Sequence, residues 1–296
     1  MHEANRRYQP STFSIAARDP STGDLGVAVQ SKFLAVGSIV PWARAGVGAI
    51  ATQAALNAAY GVEGLHLLAS GWTAQETVKQ LVSMDSEAGQ RQLLVVDAAG
   101  RAEAYTGNQC YEWAGHLVGD GYACAGNILV GRATVEAMAQ AFERTAGALA
   151  ARLVAALAAG QAAGGDRRGQ QSAAVLVVRS AGGYAARTDR YVDLRVDDHS
   201  QPISELQRLL GLHRLYSKSA PDELTEMTEE ICSELQAILR RTGRYQGEIN
   251  GQCNAATRRA LLDLYNIENL EDRWHDRLID RVALGYLRTR FTASPD

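Results

Sequence analysis

The side chains that could carry out acyl-transfer chemistry lie at the ends of predicted strands and in one glycine-rich loop. Thr12 begins the first predicted strand, and Lys32 ends the second, so a hairpin of this length would make them neighbours. The Lys32 ammonium could then lower the pKa of a nucleophile or hold a substrate carboxylate. Asp166, in the loop, could orient Lys32 or an α-amine, and Ser172 could complete the polar network. These four residues are the candidate catalytic group.

Three amide side chains are candidates for holding a substrate or an oxyanion. Gln53 and Asn57 follow the third predicted strand, and Asn127 follows Gly126. Amide N–H groups can donate to the oxyanion that forms during acyl transfer. His116 has no such partner pattern around it, so a structural imidazole is the simpler interpretation of this residue.

The cysteines do not indicate a metal site or a disulfide framework. They are Cys110, Cys124, Cys232 and Cys253, without C-x-x-C spacing or a matching histidine pair. We therefore expect reduced thiols, no bound metal and no organic cofactor.

The elements that would position these residues alternate between hairpins and paired helices. Turn-forming residues at 19–24 join the first two strands. Predicted strands cover 12–17, 25–30, 47–52, 92–96, 102–105, 172–179 and 187–194, with a further edge strand at 122–125 and a closing helix at 202–216. Hairpins flanked by helices, without regular strand-helix alternation, predict an α+β fold with antiparallel sheets layered as an αββα sandwich.

A change in composition divides the chain. Residues 222–296 contain 24 charged residues in 75 positions, a much higher density than in the preceding part. The segment 217–221 is the predicted linker. The predicted organisation is an extension at 1–11, a layered domain at 12–217 and a small all-α domain at 222–296.

Charge and hydropathy exclude two classes of partner. The net charge of −3 and the pI near 6.1 give no basic field for nucleic acid. The N-terminus has no apolar core of the kind found in a signal peptide, and the most apolar later run contains Arg152. We therefore expect a cytoplasmic protein that does not bind nucleic acid or membrane, and that covers exposed sheet edges by homo-oligomerisation.

Several blocks of sequence, in order, resemble the family named domain of unknown function 1028. They include Thr12-Phe13-Ser14-Ile15, Gly26-Val27-Ala28-Val29, Ser31-Lys32-Phe33, Pro41-Trp42-Ala43-Arg44, Gly126-Asn127-Ile128-Leu129 and Gly164-Gly165-Asp166-Arg167-Arg168-Gly169. That family is similar to the N-terminal-nucleophile (Ntn) hydrolases, which have an αββα fold and cleave amide bonds. The resemblance covers roughly residues 12 to 215.

The resemblance implies that Thr12 acts as an N-terminal nucleophile. The hydroxyl of such a threonine attacks a carbonyl while its own α-amine, with an ordinary pKa of roughly 7.7 to 8.0, takes the proton. Family members often begin with Met directly before this strand, whereas here eleven residues precede Thr12. The implied function is an Ntn-type amidohydrolase acting on a small linear amide or ureido compound after processing. Cleavage one residue earlier would make Ser11 the nucleophile.

The C-terminal stretch resembles a peptidoglycan-binding-type module of three helices. The resemblance rests on Leu235, Leu239, Gly243, Tyr245, Gly247, Gly251, Thr257, Ala260 and Leu261, with Asn254 as the predicted cap of a following helix. In a cytoplasmic chain, this module would serve docking or oligomerisation.

Two alternatives to the processed hydrolase stay open at this point. The chain could be a non-catalytic binding or scaffold protein that retains the fold beneath its N-terminal extension. It could also be an enzyme with an intact N-terminus that uses the region of Lys32 and Asp166 in another way, although the sequence shows no independent triad.

Overall fold

The computed structural model describes residues 12–183 and 186–292. The chain divides into two compact units between Leu210 and Gly211. This boundary falls before the linker that composition predicts at 217–221. The extension at 1–11, including Ser11, lies outside the described residues.

Six antiparallel strands form the larger sheet of the first unit. They are β1 (Thr12–Arg18), β2 (Leu25–Ser31), β7 (Gly115–Gly119), β8 (Tyr122–Asn127), β9 (Ser172–Val178) and β10 (Arg190–Val196). Their order across the sheet is β10-β9-β2-β1-β8-β7. The strand that begins at Thr12 is therefore hydrogen-bonded on both sides, to β2 and to β8.

The predicted hairpin of β1 and β2 is present because its turn residues satisfy the backbone. The Asp19 carboxylate accepts hydrogen bonds from Ser21 N at 2.8 Å and from Ser21 Oγ at 2.6 Å. Gly23 has a φ of 75°, a conformation that glycine adopts without steric cost. The turn fixes the register that pairs Thr12 with Ser31.

Four antiparallel strands form the second sheet of this unit, in the order β3-β4-β5-β6. They are β3 (Pro41–Arg44), β4 (Gly48–Ala54), β5 (Arg91–Asp97) and β6 (Ala102–Thr106). The sequence predicts the last three of these strands. It misses β3, which is short and only half buried, so it has no clear alternation of apolar and polar residues.

Helices cover the outer face of each sheet, and an apolar layer lies between the two sheets. Helices α1 (Ala59–Ala69) and α2 (Ala74–Met84) share a core with β4 and β5. Helices α3 (Ala133–Arg144) and α4 (Leu149–Ala162) share a core with the larger sheet. A third core joins residues of both sheets, among them Ala16, Val27, Ala51 and Leu94.

One strand assignment is corrected by the structure. The sequence predicts an edge strand at 122–125, whereas β8 lies inside the sheet between β1 and β7. Strand β7, which pairs with the outer side of β8, contains Gly115, His116 and Gly119. Its residues are at most partly buried, so its sequence gives only a weak strand pattern. The inner position of β8 places Asn127 directly beside β1.

The second unit contains three helices and a small sheet. Helix α5 (Pro202–Leu215) runs across the boundary between the units, followed by α6 (Glu229–Arg241), α7 (Ala255–Ile267) and α8 (Arg281–Thr292). The expectation of an all-α domain is corrected by an antiparallel pair of short strands, β11 (Leu224–Glu226) and β12 (Leu278–Asp280). The predicted cap is confirmed, since Asn254 Oδ1 accepts from Ala256 N and Thr257 N.

The expectation that all thiols are reduced is wrong for one pair. Cys232 and Cys253 form a disulfide, with their Cα atoms 5.5 Å apart. Their separation of 21 residues follows no known spacing pattern, and only the approach of α6 to the loop before α7 brings them together. Cys110 and Cys124 are free and buried.

Membrane-spanning helices and metal-binding clusters are both absent from the described residues. None of the helices within 12–183 and 186–292 is both long and apolar enough to cross a membrane. In the same ranges, no group of three His, Cys, Asp or Glu side chains could hold a metal ion.

Candidate active site

A group of polar side chains interrupts the apolar layer between the two sheets at the end where β1 begins. Side chains alternate along a strand, so Thr12 and Ser14 lie on the same face of β1. Thr12 is paired with Ser31 of β2 on one side and with Asn127 of β8 on the other. All four side chains are fully buried. Burial of so many polar groups is costly unless they bind one another.

Gln53 and Gln92 connect this group to the opposite sheet. The two glutamines face each other across β4 and β5. Ser14 Oγ donates to Gln53 Oε1 at 2.7 Å, and Gln53 Nε2 donates to Gln92 Oε1 at 2.7 Å. Asn127 Nδ2 also donates to Gln92 Oε1, at 3.1 Å. Hydrogen bonds therefore cross the layer between the sheets at both Gln53 and Gln92.

Gln92 has the largest number of partners in this group. Its Nε2 lies within hydrogen-bond distance of Thr106 Oγ1 at 3.0 Å, Gly115 O at 3.1 Å and Gly126 O at 2.9 Å. We call the connected side chains the Gln92 network: Ser14, Gln53, Gln92, Thr106 and Asn127. Gln92 is not among the residues predicted from the sequence, although a glutamine directly before the apolar run of β5 is a signal that could identify it.

Thr12 adjoins the Gln92 network and has a hydrogen-bonding partner of its own. Its Oγ1 donates to Ser31 Oγ at 3.2 Å, and its side chain is fully buried. Ser31, like Gln92, was not among the predicted site residues. The predicted residues that the structure brings together are Thr12, Gln53 and Asn127.

Lys32 and Asp166 lie next to each other but make a different contact from the predicted one. The Asp166 carboxylate accepts from the backbone N of Lys32 at 3.0 Å, and it is paired with Arg168 at 3.2 Å. The exposed Lys32 ammonium donates to Gln170 O at 3.2 Å. Asp166 therefore fixes the backbone after Ser31, whose hydroxyl accepts from Thr12, while the Lys32 ammonium contacts Gln170 of the same loop rather than the Asp166 carboxylate.

Ser172 shapes the loop that follows β2. Its Oγ donates to Phe33 O and accepts from Val36 N at 3.1 Å. Ala35 in this loop has a left-handed φ of 53°. The contacts of Ser172 thus hold the backbone beside the site.

Asn57 belongs to a separate polar cluster at the start of α1. Its Oδ1 accepts from Ala59 N at 3.1 Å, and its Nδ2 donates to Asp85 Oδ2 at 3.2 Å. Arg91 Nε also donates to Asp85, at 3.0 Å. Burial raises the pKa of Asp85, but the hydrogen bonds from Arg91, Glu87 N and Asn57 outweigh it and lower the pKa to about 2.

Strained backbone marks two of the strand ends that carry the site. Ala54 ends β4 with a φ of 67°, directly after Gln53, and Ile128 follows Asn127 with a φ of 51°. Left-handed conformations cost about 1 to 3 kcal/mol for residues other than glycine, and they cluster at functional sites. The two strained residues directly follow two of the three amides that the sequence predicts for substrate binding, Gln53 and Asn127.

Comparison with known proteins assigns the first unit to a family. The family model described as "Family of unknown function (DUF1028)" matches residues 12–206. The chain belongs to this family. A crystal structure of a DUF1028 protein from Silicibacter pomeroyi is 34% identical, covers 68% of this chain and 88% of its own, and superposes with a TM-score of 0.62. No protein of curated function matches the chain.

A second model matches the other unit of this DUF1028 protein. The description "Putative peptidoglycan binding domain" applies to residues 215–287. The resemblances to both families are thus confirmed. The matched stretch includes the disulfide, the cap at Asn254 and all of α6 and α7.

His116 joins the Gln92 network from the exposed side of β7. Its Nδ1 lies 2.8 Å from Thr106 Oγ1. Because that hydroxyl accepts from Gln92, its proton can be donated to Nδ1, which favours the tautomer with hydrogen on Nε2. Desolvation by the surrounding protein lowers the pKa of His116, and Glu103 opposes this effect. A neutral, structural imidazole agrees with these contacts.

Proposed function

We propose that this DUF1028 chain is an Ntn-type amidohydrolase that cleaves a small linear amide or ureido compound, with Thr12 as the nucleophile once residues 1–11 are removed. One observation carries the proposal: Thr12 begins β1 where a buried polar network interrupts the apolar layer between the sheets. The arrangement of α3 and α4, two sheets, and α1 and α2 is also the layer order expected of an Ntn hydrolase.

The proposed reaction needs only groups that processing would create at Thr12. Its hydroxyl oxygen bonds to the substrate carbonyl carbon, and its α-amine takes the hydroxyl proton and passes it to the leaving nitrogen. Water then hydrolyses the ester, with the amine as general base, which releases the acid and restores the hydroxyl. The Ser31 hydroxyl, 3.2 Å from Thr12 Oγ1, can hold the nucleophile in position.

Among the predicted amides, Asn127 is placed best to stabilise an oxyanion. It is opposite Thr12 in the strand register, and its Nδ2 donates to Gln92. A carboxamide already fixed by a second amide loses little entropy when it binds a transition state. Asn57 is engaged with Asp85 and the start of α1, so we assign it to the support of that helix.

Two observations favour the alternative of a non-catalytic binding or scaffold protein. The Thr12 side chain is fully buried in the unprocessed chain, and the Lys32 ammonium contacts Gln170 rather than the nucleophile. The hydrolase proposal therefore requires that processing expose both the hydroxyl and the α-amine of Thr12.

The test compares the full chain with a shortened chain that begins Met-Thr12. Removal of Met by the aminopeptidase of the host should leave Thr12 first, which intact mass confirms. We expect the shortened chain alone to hydrolyse members of a panel of linear amides and ureido compounds. Thr12→Ser should retain activity, whereas Thr12→Ala should abolish it and Lys32→Ala should leave it nearly unchanged. Thr289→Ala, which removes an exposed hydroxyl in α8, is the control.

The outcomes separate the two functions. Equal turnover by the full chain and by Thr12→Ala would refute the N-terminal-nucleophile mechanism. Inactivity of every folded variant on the whole panel would favour the binding or scaffold protein.

For the second unit we propose a binding role in an oxidising compartment. The Cys232–Cys253 disulfide supports this location, because disulfides are rare in reducing cytoplasm. The cytoplasmic location that the sequence predicts would instead leave these cysteines reduced. Thiol alkylation of protein taken directly from its native cells, followed by mass spectrometry, distinguishes the two. Homo-oligomerisation through the sheet edges at β7 and β10 stays a prediction, which light scattering can test.

A further inference from the structure

Helix α1 belongs to an outer layer of the first unit, yet almost all of its side chains are apolar. Apart from the buried Tyr60, its only polar side chains are Glu63 and His66. An outer helix of a globular protein normally turns a polar stripe towards water, and a helix that is apolar all round is normally buried. The composition of α1 therefore indicates that its outward face is covered.

The neighbouring helix α2 has the usual amphipathic pattern. It buries residues at helical spacing on one side and exposes Gln75, Glu76 and Lys79 on the other. On α1, in contrast, the Val62 side chain is 59% exposed and Leu65 is only half buried. The exposed apolar surface is therefore a property of α1 and not of this whole layer.

The exposed apolar side chains of α1 line a depression between α1, α2 and β3, which we call the helix groove. Its volume is about 730 Å³. Its apolar lining residues are Trp42, Val62, Leu65, Leu67, Leu81 and Met84. Met84, at the end of α2, is 68% exposed. An exposed apolar patch with polar residues at its rim is typical of an interaction surface.

Close packing of β3 on α1 fixes the shape of one end of the helix groove. A Cβ atom at Gly61 would overlap the Trp42 indole, so glycine allows the ring to lie directly against the helix. Trp42 Nε1 also donates to Ile39 O at 3.0 Å. The indole is held by these two contacts, so this end of the groove does not need a partner to form.

Two opposite charges lie at the helix groove. Arg44 ends β3, Glu63 lies in α1, and both side chains are exposed. A strongly acidic or strongly basic partner, including an anionic lipid surface, would repel one of the two. A second copy of this chain satisfies both, because a two-fold axis can bring Glu63 of each copy towards Arg44 of the other.

We propose that the helix groove is the interface of a homodimer, in which α1 and α2 pack against the same helices of a second copy. Apolar side chains then meet at the centre and ion pairs form at the rim, as in other protein interfaces. The proposal does not depend on hydrolysis at Thr12, because α1 and α2 share their core with the smaller sheet, whereas Thr12 belongs to the larger one. The surface also differs from the edges at β7 and β10, which belong to the larger sheet as well.

The first test measures the mass of the full chain in solution by light scattering and sedimentation over a range of concentrations. The wild-type chain should be dimeric at about 100 μM, because interfaces of ordinary size have dissociation constants of micromolar order or below. Val62→Glu should weaken association by about tenfold or more, since it places an unpaired carboxylate in the apolar centre twice per dimer. Val118→Glu is the matched control, because Val118 is a 42% exposed valine of β7. It should leave the dissociation constant unchanged.

An exchange of charges tests the two-fold arrangement. Arg44→Glu and Glu63→Arg each place like charges opposite one another, so each alone should weaken association by about tenfold. The double variant Arg44→Glu/Glu63→Arg should restore most of the wild-type affinity. All of these positions are exposed, so the variants should keep wild-type midpoints of urea unfolding.

The outcomes decide the proposal. A wild-type chain that is monomeric at about 100 μM would overturn it. So would a dimer that Val62→Glu leaves intact, and loss of that dimer in Val118→Glu would assign the interface to the edge at β7. Failure of the double variant to associate better than either single variant would overturn the two-fold pairing on which the proposal rests.

Discussion

Replacement of Gln92 by alanine should be among the most damaging single changes in the first unit. The Gln92 side chain is fully buried: its Oε1 accepts two hydrogen bonds, and its Nε2, which has two hydrogens, lies within hydrogen-bond distance of three acceptors. Its loss removes the acceptor of Gln53 Nε2 and one hydrogen-bonding partner each from Asn127 Nδ2 and Gly126 O. A buried group that loses its hydrogen bond costs about 1 to 3 kcal/mol, and water entering the space would offset part of this. We expect a destabilisation of about 3 to 5 kcal/mol.

Urea unfolding followed by tryptophan fluorescence measures this change. In a Trp274→Phe background, the remaining tryptophans all lie in the first unit, so the signal reports that unit alone. Gln92→Met is the informative companion, because it fills most of the volume but restores few of the hydrogen bonds. A similar loss of stability in both variants would assign the effect to unpaired polar groups rather than to a cavity.

Gln171→Ala is the matched control for this experiment. Gln171 donates to Asp198 at 3.1 Å in an exposed contact, so its loss should cost less than about 0.5 kcal/mol. If Gln92→Ala changes the free energy of unfolding by under about 1 kcal/mol, or no more than Gln171→Ala does, the reasoning from the buried network is wrong.

Three further changes test other parts of the structure. Arg273→Met should destabilise the second unit by about 3 to 5 kcal/mol, because it leaves Asp280 as an uncompensated buried charge. In calorimetry, only the unfolding transition of the second unit should shift to lower temperature. Reduction or Cys232→Ser should cost the same unit about 3 kcal/mol, and identical melting with and without reductant would contradict this. The pKa of Asp85 is about 2 in the folded protein and roughly 3.9 in the unfolded chain. Ionised Asp85 therefore stabilises the fold by about 2 kcal/mol above pH 4, and this stabilisation is lost as the pH falls towards 2. Asp85→Asn should flatten this acid dependence, and parallel urea midpoints for both proteins between pH 2 and 6 would refute the assignment.

Local chemistry explains which parts of the fold could be predicted from the sequence. The hairpin of β1 and β2 depends on a turn whose residues bond their own backbone, and the cap at Asn254 depends on the next three residues. Both features are encoded within a few positions. The position of β8 inside the sheet could not be predicted, because it depends on pairing with β7. The residues of β7 are at most partly buried, so its sequence gives only a weak strand pattern.

The site was predicted only in part, because its decisive contacts join distant strands. The sequence indicates Gln53 and Asn127 as amides near strand ends, but the residue that connects them, Gln92, lies in a run that otherwise indicates a buried strand. Asp166 was expected to contact the Lys32 ammonium and instead binds the Lys32 backbone. Sequence patterns indicate which residues are polar, but not which atom of a neighbour they contact.

Under the proposed N-terminal-nucleophile mechanism, the register of β1 makes the exact position of the cut decisive. Thr12 faces the layer between the sheets, while Phe13 belongs to the core beneath α3 and α4. Because β1 is paired on both sides, it cannot shift by one residue without exchanging these two environments. A cut one residue too early would leave the strand in place but move the new α-amine about 3.4 Å away from Thr12. Under the same mechanism, a preparation with ragged N-termini would melt as one species while only the molecules cut at Thr12 react through its hydroxyl. Activity through Thr12 per molecule would then measure the fidelity of cutting and not the quality of folding.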